Sequence, residues 1–532
     1  MFEQLLKDFE ASAGSAIDGW AWLSGKAGAV VVDETVGLTR TRPYPWSTFK
    51  PYTSWRGLFD RTYLARHLPP ADLQSLPDVA KVIQLFARPA GQPAKLSAKS
   101  TCLFPAFAQY LTDGFIRTGV PRKSIHDTSP IDPTRTSSNH EIDLCQLYGR
   151  NAVQTDALRL KDGTFGRRGR LKSQFVTING TAEEFPPFLF PGGQEPSDPQ
   201  FDALDPPLLA LPPQPLPPLG TIFAVGGDRV NTTPFSAMMN TLLLREHNRI
   251  AHELETQNPG PDWDDDRVFE TARNIMIPIF ITIVIEQYIN HITPLPFSLR
   301  ADPTVAYTAN WNRPNWITAE FSLLYRWHPL MPDSIDWPTG PIPLGDFQVN
   351  NQPLLDVGLD AAFSAAARQQ AGELGAFNTA AALLPIENLS LKQGRVYRLD
   401  TYNHYRVAFG MKAAERFEDI SSDPSVRALL QQLYGTPDDV EFYPGLFAED
   451  RVPESPLPGL LMRMVAVDAF SQALTNPLLS QWVFNAETFT QWGYDLIQNT
   501  SKLGDILARN VPVRGTTPIE MTQATWHYAN GP

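Results

Sequence analysis

The sequence predicts a mainly α fold: one large helical domain with long proline-rich loops and little β structure. Apolar residues recur at helical spacing over 101–117, 235–257, 264–292, 316–328, 400–416, 424–434, 457–475 and 486–508. Only Thr164 to Asn179 reads as a short strand pair. Many of the 49 prolines fall between the helical segments, where a residue without an amide hydrogen breaks helix and sheet alike. No internal repeat or composition shift divides the 532 residues into equal halves.

Taken in order, residues 1–60 form an N-terminal arm and 61–532 the main domain. In the arm, Phe2, Leu5, Leu6 and Phe9 share a helical face ahead of Trp20, Trp22 and Leu23. That face predicts a helix docked on the core, and it is also the candidate for peripheral membrane contact or substrate entrance. Residues 25–60 read as irregular, with Arg42-Pro-Tyr-Pro-Trp46 blocking regular structure. Phe185 to Leu219 is dense in proline and predicts a long ordered loop. The apolar run Ile275–Ile285 is shorter than the roughly 20 residues of a membrane span and predicts a buried core helix. Within 235–257, Arg245-Glu-His-Asn-Arg249 places charges in an apolar helix, which predicts a mutually satisfied buried network. His247 and His252 are five apart, so they do not share a face as zinc ligands would.

Composition removes several function classes. A net charge of −13 argues against a nucleic-acid partner. Cys102 and Cys145 are the only cysteines, which predicts neither a disulfide framework nor a structural zinc site, and a reducing compartment. The N-terminus lacks a basic segment followed by an apolar one, so no signal peptide is expected and the cytoplasm is the expected location.

The segment Phe321-Ser-Leu-Leu-Tyr325-Arg-Trp327-His328-Pro carries the chemistry. On a helix, residues three apart are surface neighbours, so a metal on His328 would lie beside the Tyr325 phenol. Taken alone, the same two residues are more often a packed tyrosine and a satisfied core histidine.

The wider context is more specific. Leu244-Arg-Glu-His-Asn-Arg249, Trp263-Asp-Asp-Asp-Arg-Val-Phe-Glu-Thr-Ala-Arg273 and Trp316 to Asp333 resemble the animal-type haem peroxidase and cyclooxygenase superfamily. Within it they resemble the fatty-acid (linoleate-type) dioxygenase branch with its microbial cyclooxygenase-like members. Phe223-Ala-Val-Gly226, Ile285-Glu-Gln-Tyr288 and Glu441-Phe-Tyr-Pro444 extend the resemblance over most of residues 50–475. It implies a helical domain holding haem b, with His328 as the iron ligand, Trp327 and Tyr443 near the cofactor, Tyr325 as the radical-forming tyrosine and Tyr288 as its hydrogen-bond partner. It implies an unsaturated fatty acid and O2 as substrates, with Phe321, Leu324, Ile289, Val465, Val467 and Phe470 lining a lipid channel.

The sequence departs from the family on the distal side. Gln109 matches, but Asp113 stands where the family has histidine, and an ordinary aspartate is a weak base for peroxide cleavage. Arg229 lies where peroxidases place a distal arginine, and His126 is a second candidate to compensate. Gly114 and the segment Asn139 to Cys145 lack part of the family's calcium ligand set, so no calcium is expected. Leu295 replaces the tyrosine that fixes the substrate carboxylate, leaving Arg40 and Arg42 as candidate anchors. The expected activity is fatty-acid dioxygenation to a hydroperoxide. The alternatives are a haem peroxidase oxidising small donors and a haem- or lipid-binding protein whose catalysis Asp113 impairs. The sequence does not specify an oligomeric state.

Overall fold

The structure, a computed structural model, describes residues 17–37, 61–119, 124, 127, 132–208, 218–511 and 514–528. Its frame consists of α1 (Ile17–Val36), α2 (Leu103–Phe115), α3 (Pro234–Gln257), α4 (Asp265–Ile283), α5 (Phe321–Leu324), α6 (Gln352–Arg368), α7 (Leu384–Val396), α8 (Phe442–Ala448), α9 (Gly459–Leu474), α10 (Ala486–Gln498) and α11 (Leu503–Asn510), with further helices at Ala152–Leu158, Tyr402–Ala408 and Pro424–Tyr434 and shorter helical turns between them. Six short strands form three antiparallel pairs. These are β1 (Leu96–Thr101) with β6 (Gln370–Gly372), β2 (Gln174–Ile178) with β3 (Thr181–Phe185), and β4 (Ser334–Trp337) with β5 (Gly340–Pro343). The mainly α expectation holds.

Helix starts follow local chemistry. Thr233 caps α3 by accepting from the Ser236 amide, and Pro234 takes the first turn, where no amide donor is needed. Asp264 caps α4 in the same way, and Asp265 and Asp266 in its first turn suit the positive end of the helix dipole. The β2–β3 hairpin turns at Asn179-Gly180, both at positive φ, a conformation that asparagine and glycine adopt readily. The hairpin thus extends beyond the expected Thr164 to Asn179 interval. From Phe185 to Leu219 the described residues form loop and single 3-10 turns, as the prolines imply.

Three helical expectations change. The segment 486–508 divides into α10 and α11, while α6 and α7 add helices. The expected helix over 316–328 is reduced to α5, a single turn that ends at Leu324. Pro329 disfavours α geometry at His328, and Trp327 sits in the bridge region at φ −88°, ψ 41°. Tyr325 and His328 are therefore not neighbours on one helix.

α3 lies at the centre and packs against α2, α4, α6 and α11. The network expected at its charged stretch is present, and its partners come from far along the chain. Glu246 accepts from Arg249, Arg509 and Asn510, which fastens α11 to α3. Arg245 donates to the Glu184 carbonyl and pairs with Glu183, holding the hairpin. His247 lies between the Tyr148 hydroxyl and the Gly169 carbonyl, and burial lowers its pKa to about 4. The segment Asp265–Ile292 is long and apolar enough to cross a membrane, but most of its apolar window is buried inside the protein. α1 packs on α9, with Val32 and Val36 buried and Asp33 accepting from the Trp311 indole. Phe2 to Phe9 and the side chains of Trp20, Trp22 and Leu23 lie outside the described residues.

Burial alone would raise the Glu246 pKa, but its hydrogen bond and ion pair with Arg249, together with the Arg509 charge, hold it below the ordinary 4.5. A depressed carboxylate pKa stabilises the fold above the unfolded value and loses that contribution as pH falls through the folded value. Glu246→Ala should destabilise the protein by about 2 kcal/mol by leaving the half-buried Arg249 and Arg509 and the Asn510 amide without their shared acceptor. Denaturant unfolding from pH 7 to 3 should show stability falling with acid below about 4.5 in the wild type and a flatter profile in Glu246→Gln.

Candidate active site

Two adjoining sub-sites are built from the short turn that follows α5. Tyr325 closes α5 at φ −97°, ψ 29° and is packed by rings on both sides. Phe321 meets it edge-on at 5.0 Å, and Trp327 stacks on it at 4.8 Å. Trp327 is itself covered by Phe104 of α2 at 5.2 Å. Tyr288 approaches from the π-helical turn Val284–Ile289, where one wider turn after α4 re-aims its side chain. Phe104 and Phe107 pack on the Tyr288 ring at 5.5 and 5.3 Å. Burial pushes both phenol pKa values up. The Tyr288 hydroxyl is close enough to pull Tyr325 partly back, although neither hydroxyl is aligned for a hydrogen bond.

Three residues on, the chain presents His328 to a different wall. Its Nδ1 stands 2.9 Å from Glu387 Oε1 on α7, just off hydrogen-bond alignment. Glu387 is fully buried and accepts from the Thr379 hydroxyl at 3.1 Å and from the Tyr443 phenol. Tyr443, on α8, stacks on Phe86 at 5.3 Å, and burial followed by the Glu387 charge raises its pKa. Between the two sub-sites, Arg326 donates to Gln393 at 3.2 Å, but its Nε has no partner. Burial lowers the Arg326 pKa, and the nearby Arg229 charge lowers it further.

The opposite wall is α2 and the turn before α3. Gln109 donates to Thr232 at 2.7 Å and accepts from Thr233 at 3.1 Å. One helical turn on, Asp113 pairs with Arg229 at 3.0 Å and with Arg150 at 3.5 Å. The other end of Arg229 donates to the carbonyls of Thr112 and Ile116, so its guanidinium is engaged at the end of α2. Arg150 also pairs with Asp228 at 3.0 Å and with Asp205, while Arg117 pairs with Asp228 at 2.6 Å. Burial would raise the Asp228 pKa, yet Arg117 and Arg150 hold it at about 2. Gly227 permits this close packing, because a Cβ there would collide with Asp113 Oδ2.

Gln109, Arg229, Thr232, Tyr325, Arg326 and His328 retain accessible surface in this otherwise buried region. The residues fit a haem. His328 has Nε2 free of the Glu387 contact, an imidazole nitrogen of the kind that binds haem iron, and the unpartnered Arg326 Nε seeks an anion such as a propionate.

The remaining expected residues are more dispersed. Phe321, Leu324 and Ile289 are buried near Tyr325 and Tyr288. Val467 and Phe470 share a face of α9, whereas Val465 lies about 140° around the helix from Phe470. The three therefore do not line one surface. Phe470, Ile285, Leu299 and Val32 line a cavity of about 40 Å³ beneath α1, and Arg300 stands at the same cavity, paired with Glu286 at 2.9 Å. Leu295 is buried, while Arg40, Arg42 and His126 lie outside the described residues. Beside Asp113, the Gln146 side chain packs on Gly114 and Asn139 donates to Asp143. Sequence reasoning missed Glu387, Arg326, Arg150 and Asp228. Of these, Arg326 lay within the segment that holds Tyr325 and His328, and Asp228 beside Arg229, while Glu387 and Arg150 lay outside any recognised motif.

Comparison with known proteins completes the assignment. Residues 114–522 match the family model of animal haem peroxidase. Prostaglandin G/H synthase 2 of Bos taurus is 30% identical over 489 residues, which is 88% of this chain and 74% of that protein. Prostaglandin G/H synthase 1 of Mus musculus is 31% identical over 484 residues, with the same shares. Among solved structures, peroxidase A from Dictyostelium discoideum superposes with a TM-score of 0.68 at 18% identity, covering 91% of this chain and 100% of that one. A fatty acid alpha-dioxygenase of Arabidopsis thaliana gives 0.67 at 15% identity, covering 93% and 90%. These two structures speak to the fold alone, but the family match and the prostaglandin synthase identities speak to descent, and the chain belongs to the animal haem peroxidase family.

Proposed function

We propose that this protein is a haem b-dependent fatty-acid dioxygenase whose catalytic domain spans residues 61–532. The observation that carries the reading is the pairing of Tyr325 with Tyr288 inside an aromatic wall, three residues from an imidazole free to bind iron. The relatives named for prostaglandin synthesis support the substrate class.

Bound haem supplies the oxidising equivalent, drawn from peroxide, that activates the phenol. His328 would hold the cofactor through Nε2, Trp327 and Tyr443 would border it, and Arg326 would offer a cation to its carboxylates. Because burial raises the Tyr325 pKa, the phenol stays protonated, so its oxidation removes an electron and a proton together. Tyr288 places a second buried hydroxyl beside the phenol, and a small rotation would let the two bond. The resulting tyrosyl radical takes a hydrogen atom from a bis-allylic methylene of the substrate, leaving a delocalised carbon radical. Dioxygen adds to that radical, and the peroxyl radical recovers the hydrogen from Tyr325 to give a hydroperoxide. Phe321, Leu324, Ile289, Val467 and Phe470 exclude water from the acyl chain. The cavity of about 40 Å³ that Phe470 lines is too small for an acyl chain, and Arg300 at its edge is a candidate for the substrate carboxylate.

A second reading, a haem protein with weak peroxidase turnover, is favoured by the distal ion network. Asp113 and Arg229 neutralise each other, which leaves Gln109 to meet peroxide.

Linoleate added to the haem-loaded enzyme should drive oxygen uptake at an oxygen electrode. Tyr325→Phe should reduce that uptake to background while the Soret band is unchanged. Persistent uptake in this variant would assign the oxidation to another residue. His328→Ala should lose the Soret band of the purified protein; a band of wild-type position and intensity would remove His328 as the ligand.

A further inference from the structure

We infer that Glu387 is the positioning residue of the iron ligand: its carboxylate accepts the Nδ1 proton of His328, fixes the imidazole tautomer and strengthens Nε2 as a donor. The inference rests on the reading of His328 as the haem ligand.

Glu387 is a carboxylate with no accessible surface, and its partners are two neutral hydroxyls, of Thr379 and Tyr443, and the His328 ring. No arginine or lysine forms an ion pair with it among the described residues. Burying a carboxylate in this way is costly unless its oxygens are fully bonded. Two features make it tolerable. Pro385 and Glu387 occupy the first turn of the 13-residue helix α7, whose positive dipole end favours an anion there. The remaining acceptor capacity is directed at His328, with Oε1 2.9 Å from Nδ1. The contact misses hydrogen-bond alignment by an angle, and the final torsion of a histidine ring is broad, so a modest rotation completes the bond.

The consequence follows from imidazole chemistry. A neutral ring carries one proton, and a carboxylate at Nδ1 holds it there, leaving the Nε2 lone pair for the metal. An anionic acceptor also raises the basicity of the ligating nitrogen. Tyr443, donating to the other carboxylate oxygen, sets the orientation of Glu387 from behind. Tyr443 thus reaches His328 only through Glu387.

The test uses the haem-loaded full chain and reads the iron–histidine stretching band of the ferrous form by resonance Raman, together with the midpoint potential. Glu387→Gln should shift the band to lower wavenumber, raise the potential and weaken haem retention by roughly 10–100-fold. Glu387→Asp keeps the charge one methylene shorter and should fall between wild type and Glu387→Gln, which covers the case in which the glutamine variant folds poorly. A band and potential unchanged in Glu387→Gln, with histidine ligation intact in the wild type, would overturn the positioning role alone. A wild-type protein that shows no histidine–iron band would overturn the haem reading and this inference with it.

Discussion

The placement of every group in the active site depends on how the chain leaves α5. Pro329 cannot continue a helix and disfavours α geometry at the residue before it, so the backbone unwinds between Tyr325 and His328. A continuous helix would have set both side chains on one face. The unwound turn instead directs the phenol to Phe321, Trp327 and Tyr288, and the imidazole to Glu387. Four residues of chain thus separate an apolar compartment, where hydrogen-atom chemistry can avoid water, from a polar one, where a metal ligand can be held. The turn is fixed because aromatic rings from α2 and the π turn pack on it from the side.

The wall opposite that turn follows a different principle. Arg117, Arg150, Arg229, Asp113, Asp205 and Asp228 form a charge-balanced cluster below a glycine that leaves room for it. Buried ion pairs give little net stability relative to apolar packing, but losing one partner is severe, so such a cluster holds a single arrangement firmly. Its effect here is to commit Arg229 to the end of α2. A guanidinium donating to two carbonyls and a carboxylate has few donors left for a ligand.

The parts of this architecture readable from the sequence were those coded by neighbours in the chain. α3 and α4 carry their caps, prolines and acidic first turns within a few residues of their starts, and Tyr325, Trp327 and His328 sit in one motif. What escaped were contacts between distant segments. Glu387 is a lone carboxylate in an apolar stretch, and its meaning depends on Tyr443 and His328, 56 and 59 residues away. Arg150 and Asp228 form a pair across 78 residues. α6 contains Gly358 at positive φ, which interrupts the periodic pattern that would have revealed it. On α9, Val465 and Phe470 differ by five positions and stand on different sides of the helix, so the three expected lining residues do not share one face.

The two walls also differ in how they respond to change. Around Tyr325 the contacts are dispersive and shape-dependent, so conservative substitutions there should be felt as changes in packing. Around His328 the key contact is a single buried carboxylate that three donors approach, and around Asp113 it is a lattice of charges in which each residue satisfies at least one other. A fold that gives Tyr325 neutral aromatic packing, His328 one buried carboxylate and the far wall a rigid ion cluster keeps these three environments separate. In the proposed reaction the phenol would be oxidised and restored apart from those charges, because none of the cluster's ion pairs includes Tyr325 or Tyr288.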